Sequence, residues 1–349
     1  MLENNYVFMP KISLKPDRVT MFNEVLIKNY TTNTLDTISK TRTKIYDPVT
    51  FEEVPFKKQY HNFKISHSAQ KKIQEKINWL YTLAKSRYTK SYSGVEIFNF
   101  KVNFLTLTLP SEQKHNTAEI TEKCFNQFLV EIRNRTKMEN YVWRLEFQKN
   151  GNVHYHIVTD TFIDYHFAQK IWNRIINKLG YVDAYQEKFS KMSLMEYVKY
   201  NSKYDNTTFE VLAKRYAKGK SENWTQPRSV DTKVCSSNKA ISYYISKYFG
   251  KQKKETTFKN PLDNEGNSFS LRLWFCSRSL SKLVSIVDYQ ECIPIDWFSL
   301  LRNKDKVREC IMDYAHCLFF NIRDLSNYLK SLLYPAFKDY ADSLGYCSA

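Results

Sequence analysis

No run of eighteen apolar residues occurs anywhere in the 349-residue chain, so no membrane-spanning helix is expected. The opening MLENNYVFMPKISLKPDRV lacks the apolar block of a secretory signal. Cysteine is scattered: Cys124, Cys235, Cys276, Cys292, Cys310, Cys317 and Cys347 are odd in number and form no CxxC. These absences predict reduced thiols in a cytosol and argue against a disulfide framework or a zinc ribbon. Cys310 with His316 and Cys317 comes closest to a metal cluster, and its ligand spacing is poor. G-x-x-x-x-G-K-[ST] is missing as well, which excludes a fused P-loop helicase. Internal repeats and low-complexity runs are absent.

Negative charge is also in short supply. Lys and Arg total 53 against 36 Asp and Glu, a formal net charge of +17. A chain this basic is set to meet a polyanion, most often nucleic acid. Between Lys199 and Lys254, thirteen basic residues face four acidic ones, leaving +9. Such a run is also compatible with an ordinary solvated face. Gly and Pro are scarce at 7 and 9, while Tyr and Phe reach 25 and 23. With abundant Lys, that mixture follows from AT-rich coding too, so the aromatic count alone does not establish base stacking.

The length suits one large domain or two. HSAQKKIQEKINWLYTLAKSRY repeats Ile73, Ile77, Leu80 and Leu83 at helical spacing. VEIFNFKVNFLTLTLP alternates through Val102, Phe104, Leu105, Leu107 and Leu109, a strand ending at Pro110. The next segment is a predicted helix with Asn116 or Thr117 as N-cap and an apolar stripe at Ile120, Phe125, Phe128, Leu129 and Ile132. YVWRLEFQKNGNVHYHIVTD reads as a hairpin turning at Asn150-Gly151 or Gly151-Asn152. A further helix is packed by Phe167, Ile171, Trp172 and Ile175 and closed by Gly180. A basic loop is expected from the 190s to the 230s, then a short helix SNKAISYYISKYFGK capped by Asn238. LRLWFCSRSL reads as a strand, and the pattern after residue 282 as helical. The order predicts an α+β fold: a central antiparallel β-sheet of about five strands flanked by helices, with a helical C-terminal region. The expected division is residues 1–90, 91–282 and 283–349.

Two clusters carry chemistry. Along a strand, residues two apart share a face, so His154 and His156 point one way and Tyr155 the other. Hairpin pairing brings the Glu146 region beside residues 155 to 157, so a carboxylate can reach the histidine face. Two imidazoles and one carboxylate leave open positions that suit Mg²⁺ or Mn²⁺. Alone, the pair is equally an ordinary strand with a polar face. Tyr244 and Tyr248 are four apart and share a helix face, with Lys247 beside Tyr244. A phenol with a pKa of about 10 needs such help to act as a nucleophile at neutral pH. That spacing also occurs in YNSKY at Tyr200 to Tyr204, so by itself it is not specific.

Together these residues resemble the HUH endonucleases, named for His-hydrophobe-His, and within them the rolling-circle replication initiators of bacterial plasmids and single-stranded DNA phages. The resemblance covers roughly residues 100 to 280 in four ordered parts. FLTLTLP (104–110) looks like the family's first motif, and LEFQKNGNVHYHIV places Glu146, His154 and His156 in its metal-ligand positions. WTQPRSVDTKVCSSNKAISYYISKYFGK is similar to the lead-in and nucleophile helix, which favours Tyr244 over the copy at 200–204; Val230 stands where the family pattern has threonine. RLWFCSRSL resembles a downstream strand.

The resemblance implies metal-dependent nicking of single-stranded or hairpin origin DNA. Tyr244 would take the 5′ phosphate as a phosphotyrosine and free a 3′ end for a host polymerase. Tyr248 is implied as a second nucleophile, Lys247 as its phosphate-holding neighbour, and Arg228, Lys233 and Lys251 as DNA contacts. Tyr216 and Trp224 are candidates either for stacking on unpaired bases or for core packing. A host helicase would unwind the template, in the cytoplasm of a bacterium carrying the plasmid or phage. A transposase or mobilisation relaxase would share this chemistry, and a non-catalytic nucleic-acid-binding module would share the sheet without it.

Overall fold

Short polar residues start the helices that matter for the site. Ser66 Oγ accepts from Ala69 N at 3.1 Å, Asn116 Oδ1 from Glu119 N at 2.7 Å and Asp164 Oδ1 from Phe167 N at 3.0 Å, each satisfying a first-turn N–H. The computed structural model describes residues 6–29, 34–37, 65–90, 97–148, 150–202, 207–235, 272–289 and 295–348.

In chain order the described elements are β1 (Tyr6–Lys15), β2 (Arg18–Asn29), β3 (Thr34–Thr37), α1 (His67–Leu83), β4 (Arg87–Lys90), β5 (Ile97–Phe100) and β6 (Val102–Thr108). A helical segment follows in three parts: α2 (Thr117–Ile120), a π turn (Thr121–Phe125) and α3 (Asn126–Thr136). Then come β7 (Tyr141–Phe147), β8 (Val153–Thr159), α4 (Tyr165–Ile176), α5 (Tyr181–Ser190), α6 (Leu194–Asn201), α7 (Phe209–Ser221), β9 (Val230–Cys235) and β10 (Trp274–Cys276). The chain closes with α8 (Arg278–Lys282), β11 (Ile286–Tyr289), α9 (Trp297–Leu301), β12 (Arg308–Met312), β13 (Ala315–Phe319) and α10 (Asn327–Ser343). No described helix is long and apolar enough to cross a membrane.

The contacts divide the chain into two units. One holds β1–β3, β11, α9, β12, β13 and α10; its strands run β11-β1-β2-β13-β12 with β3 on β2. The other carries the histidines on a five-stranded antiparallel sheet of order β10-β7-β8-β6-β9. The α+β class and the antiparallel sheet of five strands flanked by helices are as expected, as is the helical C-terminus in α10.

One face of the five-stranded sheet is apolar. Leu105, Leu107, Trp143, Leu145, Val153, Tyr155 and Ile157 pack against Phe125, Phe128, Ile132, Ile171, Trp172 and Ile175 from α3, the π turn and α4. Tyr155 stacks on Phe125 at 4.0 Å and Phe128 meets Trp172 edge-on at 5.6 Å. Each such side chain, fully buried, contributes about 1.5–3 kcal/mol of transfer free energy. This packing fixes the register of β8, because a one-residue slip would drive Tyr155 out and the histidines in.

Three expectations are corrected. Residues in the 190s to 220s form helices rather than a loop: Ser193 and Glu196 make a capping box at α6, and α5–α7 bury Phe189, Tyr197, Leu212 and Trp224 together. Residues 308–319 form a hairpin, since β13 pairs with β2 through Cys317↔Thr20 and Leu318↔Val19. The polar N-terminal stretch holds the β1–β2 hairpin, turning at Pro16 and Asp17 between Lys15 and Arg18.

Candidate metal centre

The site begins with a loop length. Gly151 N–H donates to the Gln148 carbonyl at 3.0 Å, and Gln148 N–H to the Asn152 carbonyl at 2.9 Å. Three residues therefore connect the paired Gln148 and Asn152, with Gly151 in the left-handed region at φ +87°. Either two-residue turn expected from the sequence would set Glu146 opposite Tyr155 or Ile157, on the apolar face. The extra residue corrects this register: Glu146 pairs directly with His154, and Arg144 with His156. Cross-strand partners share a face, so carboxylate and imidazoles converge.

The ligand atoms of Glu146, His154 and His156 all lie within 4.8 Å of one another. His156 is 3 % exposed, whereas the Glu146 side chain keeps 22 % of its surface in solvent, so the cluster is anchored inside and open at one edge. Glu146 Oε1 is 2.8 Å from His156 Nε2, and the two imidazole centroids are 4.5 Å apart. Burial pushes the Glu146 carboxyl up, but the hydrogen bond to His156 and the charges of His156, Arg144 and His154 together hold it below its ordinary value. It is an anion at neutral pH.

Strand β6 supplies a support that sequence reading missed. Thr106 pairs with His156 and Thr108 with His154, and Thr106 Oγ1 lies 3.1 Å from His156 Nδ1. A hydroxyl both donates and accepts, so Thr106 serves either imidazole tautomer. With the proton on Nδ1, His156 donates to Thr106 and turns its Nε2 lone pair toward Glu146, the arrangement a cation between them requires. Two nitrogens, a carboxylate and a supporting hydroxyl fit a divalent ion. The alternating LTLTL of β6 was the available signal. Arg144, two residues before Glu146 in WRLEF, was missed as well; it is 6 % exposed on the same face.

Other expected site residues fall as follows. Arg228 is exposed, with Nη2 3.7 Å from Asp231 Oδ1. Lys233 is exposed on β9 in register with Phe104, which places it on the histidine face. Tyr244, Lys247, Tyr248 and Lys251 lie outside the described residues, as does the expected helix that carries them. Tyr216 and Trp224 belong to packing rather than to a base platform: Trp224 is 5 % exposed and stacks on Phe189, and Tyr216 Oη donates to the Met192 carbonyl at 2.8 Å.

Residues 102–253 match a family model for replication-associated proteins of the ORF2 type. The matched stretch runs from β6 through Glu146, His154 and His156 to the segment bearing Tyr244 and Tyr248, and it supports a replication-associated, DNA-handling role. No curated protein and no solved structure matches the chain.

Proposed function

We propose that the protein initiates rolling-circle replication by nicking single-stranded or hairpin origin DNA and holding the cut 5′ end covalently. The observation that carries this reading is the convergence of Glu146, His154 and His156 on one sheet face, inside a stretch that matches replication-associated proteins.

Glu146, His154 and His156 would hold the ion, Mg²⁺ or Mn²⁺, and when bound it supplies positive charge for a nonbridging oxygen of the scissile phosphate. Thr106 keeps His156 in the tautomer that presents Nε2. Tyr244, losing its phenolic proton to solvent, attacks phosphorus; the new O–P bond replaces the P–O3′ bond and the 3′ oxygen leaves as a hydroxyl. Lys247, three residues on, favours the phenolate and pairs with phosphate. The phosphotyrosine conserves the energy of the broken linkage, so a 3′ hydroxyl reverses the reaction without ATP. Tyr248 accepts the second cut after one genome round while the first strand is rejoined. Lys251, Arg228 and Lys233 hold the backbone through counterion release. The freed 3′ end primes a host polymerase behind a host helicase, in the bacterial cytoplasm.

The test is a denaturing gel of the full chain with labelled single-stranded origin oligonucleotides and Mn²⁺. An SDS-resistant protein–DNA band that is lost with EDTA and with Glu146→Ala is the expected result. Binding without cleavage, indifferent to EDTA across oligonucleotides from the source element, would contradict the reading and leave a binding module.

A further inference from the structure

Arg144 takes no part in the steps above, yet it occupies an expensive place. It lies on β7 in register with His156 on one side and Trp274 on the other, two residues from Glu146 on the same face. At 6 % exposure its guanidinium is nearly out of water. Burial pulls its pKa down, while the Glu146 charge pulls it up; a guanidinium nevertheless stays protonated in proteins. An apolar residue at this sheet position would avoid the desolvation cost.

A fixed positive charge here changes the balance of the centre. With neutral imidazoles, Glu146 leaves a bound divalent ion with one net positive charge, and Arg144 raises the local total to two. The phosphodiester brings one negative charge, and attack by a phenolate brings a second in the transition state. The surplus is therefore balanced when the reacting phosphate is present.

We propose that Arg144 is a charge-setting residue of this centre: it weakens divalent-ion binding in the resting protein and strengthens the hold on the phosphate as negative charge builds. Its catalytic half rests on the proposed nicking reaction; its metal half does not. Acting from a buried position beside Glu146 and His156, it is a positioning residue. A purely structural arginine would leave ion affinity unchanged or weaken it on removal.

The experiment titrates Mn²⁺ into the metal-stripped full chain, reading free Mn²⁺ by electron paramagnetic resonance, for wild type, Arg144→Gln and Arg144→Lys. A second arm measures single-turnover adduct formation at saturating Mn²⁺. Arg144→Gln is expected to bind Mn²⁺ about tenfold tighter and to form adduct at least about tenfold more slowly. Arg144→Lys keeps the charge and is expected to bind Mn²⁺ within about twofold of wild type. Unchanged or weaker Mn²⁺ binding by folded Arg144→Gln overturns the proposal. If that variant fails to fold by circular dichroism, Arg144→Lys decides: wild-type affinity supports a charge effect, and a tenfold change overturns it. Wild type that binds Mn²⁺ but forms no adduct would defeat the nicking reaction, while the Arg144→Gln affinity would still decide the metal half.

Discussion

Thr106 and Lys101, both on or beside β6, show how one side chain can serve or burden this sheet. Thr106→Val keeps shape and strand preference but removes the hydroxyl at His156 Nδ1. Loss of such a supporting partner costs about 10–100-fold in metal affinity, so Mn²⁺ titration should show weakening in that range with little change in thermal stability. Unaltered affinity would remove Thr106 from the site. Lys101 is 7 % exposed, its ammonium 4.5 Å from the Tyr81 ring centroid, and burial lowers its pKa to about 8. Because the unfolded lysine binds its proton more tightly, the penalty is full below pH 8 and fades as pH rises from there toward the ordinary value of 10.5. Lys101→Met should therefore stabilise the protein at pH 7 by on the order of 2 kcal/mol and flatten the rise of stability across that window, measured by urea unfolding.

Among the elements, the packing of α5–α7 rests on a glycine. A Cβ on Gly219 would fall 2.2 Å from the Trp224 ring, which Phe189 and Tyr197 hold in place. Trp224 itself sits at φ +55°, its N–H donating to the Gly219 carbonyl at 2.8 Å. Gly219→Ala should cost about 1–3 kcal/mol locally and speed amide exchange in α5–α7, while β6–β8 keep their protection; unchanged exchange would contradict the packing described. This insert was hard to read from sequence because its Lys and Arg stems outnumber the four residues that make its core, although Ser193-x-x-Glu196 was a helix start in plain view. The elements that place the site were legible: α1, β6, the helical segment from Asn116, the β7–β8 hairpin and α4 each carry a clean period and a cap. Their register was not. Whether Glu146 joins the histidines depends on one loop residue and the positive φ of Gly151, a choice that Asn-Gly-Asn leaves open.

At the scale of the whole molecule, the least legible feature was the first unit. Its sheet pairs Lys11 with Tyr289 and Thr20 with Cys317, contacts no local window contains. Alternation in β1 and β2 was diluted by Pro10, Lys11 and Asn23, and the dense apolar residues of 308–319 fit either period. The second unit holds the metal-ligand cluster, and the family match begins at its β6. A net charge of +17 draws the molecule to DNA whatever its chemistry, so binding alone does not test the central claim. Tryptic digestion of the nuclease-trimmed adduct, with tandem mass spectrometry, does. Cleavage after Lys239 and Lys247 places Tyr244 in the peptide 240–247 and Tyr248 in the next. The account expects the nucleotide mass on Tyr244 after the first cut, resolved from its neighbour Tyr243 by fragment ions. Modification confined to Tyr243 or to the 200–204 copy, or adduct surviving EDTA, would contradict it.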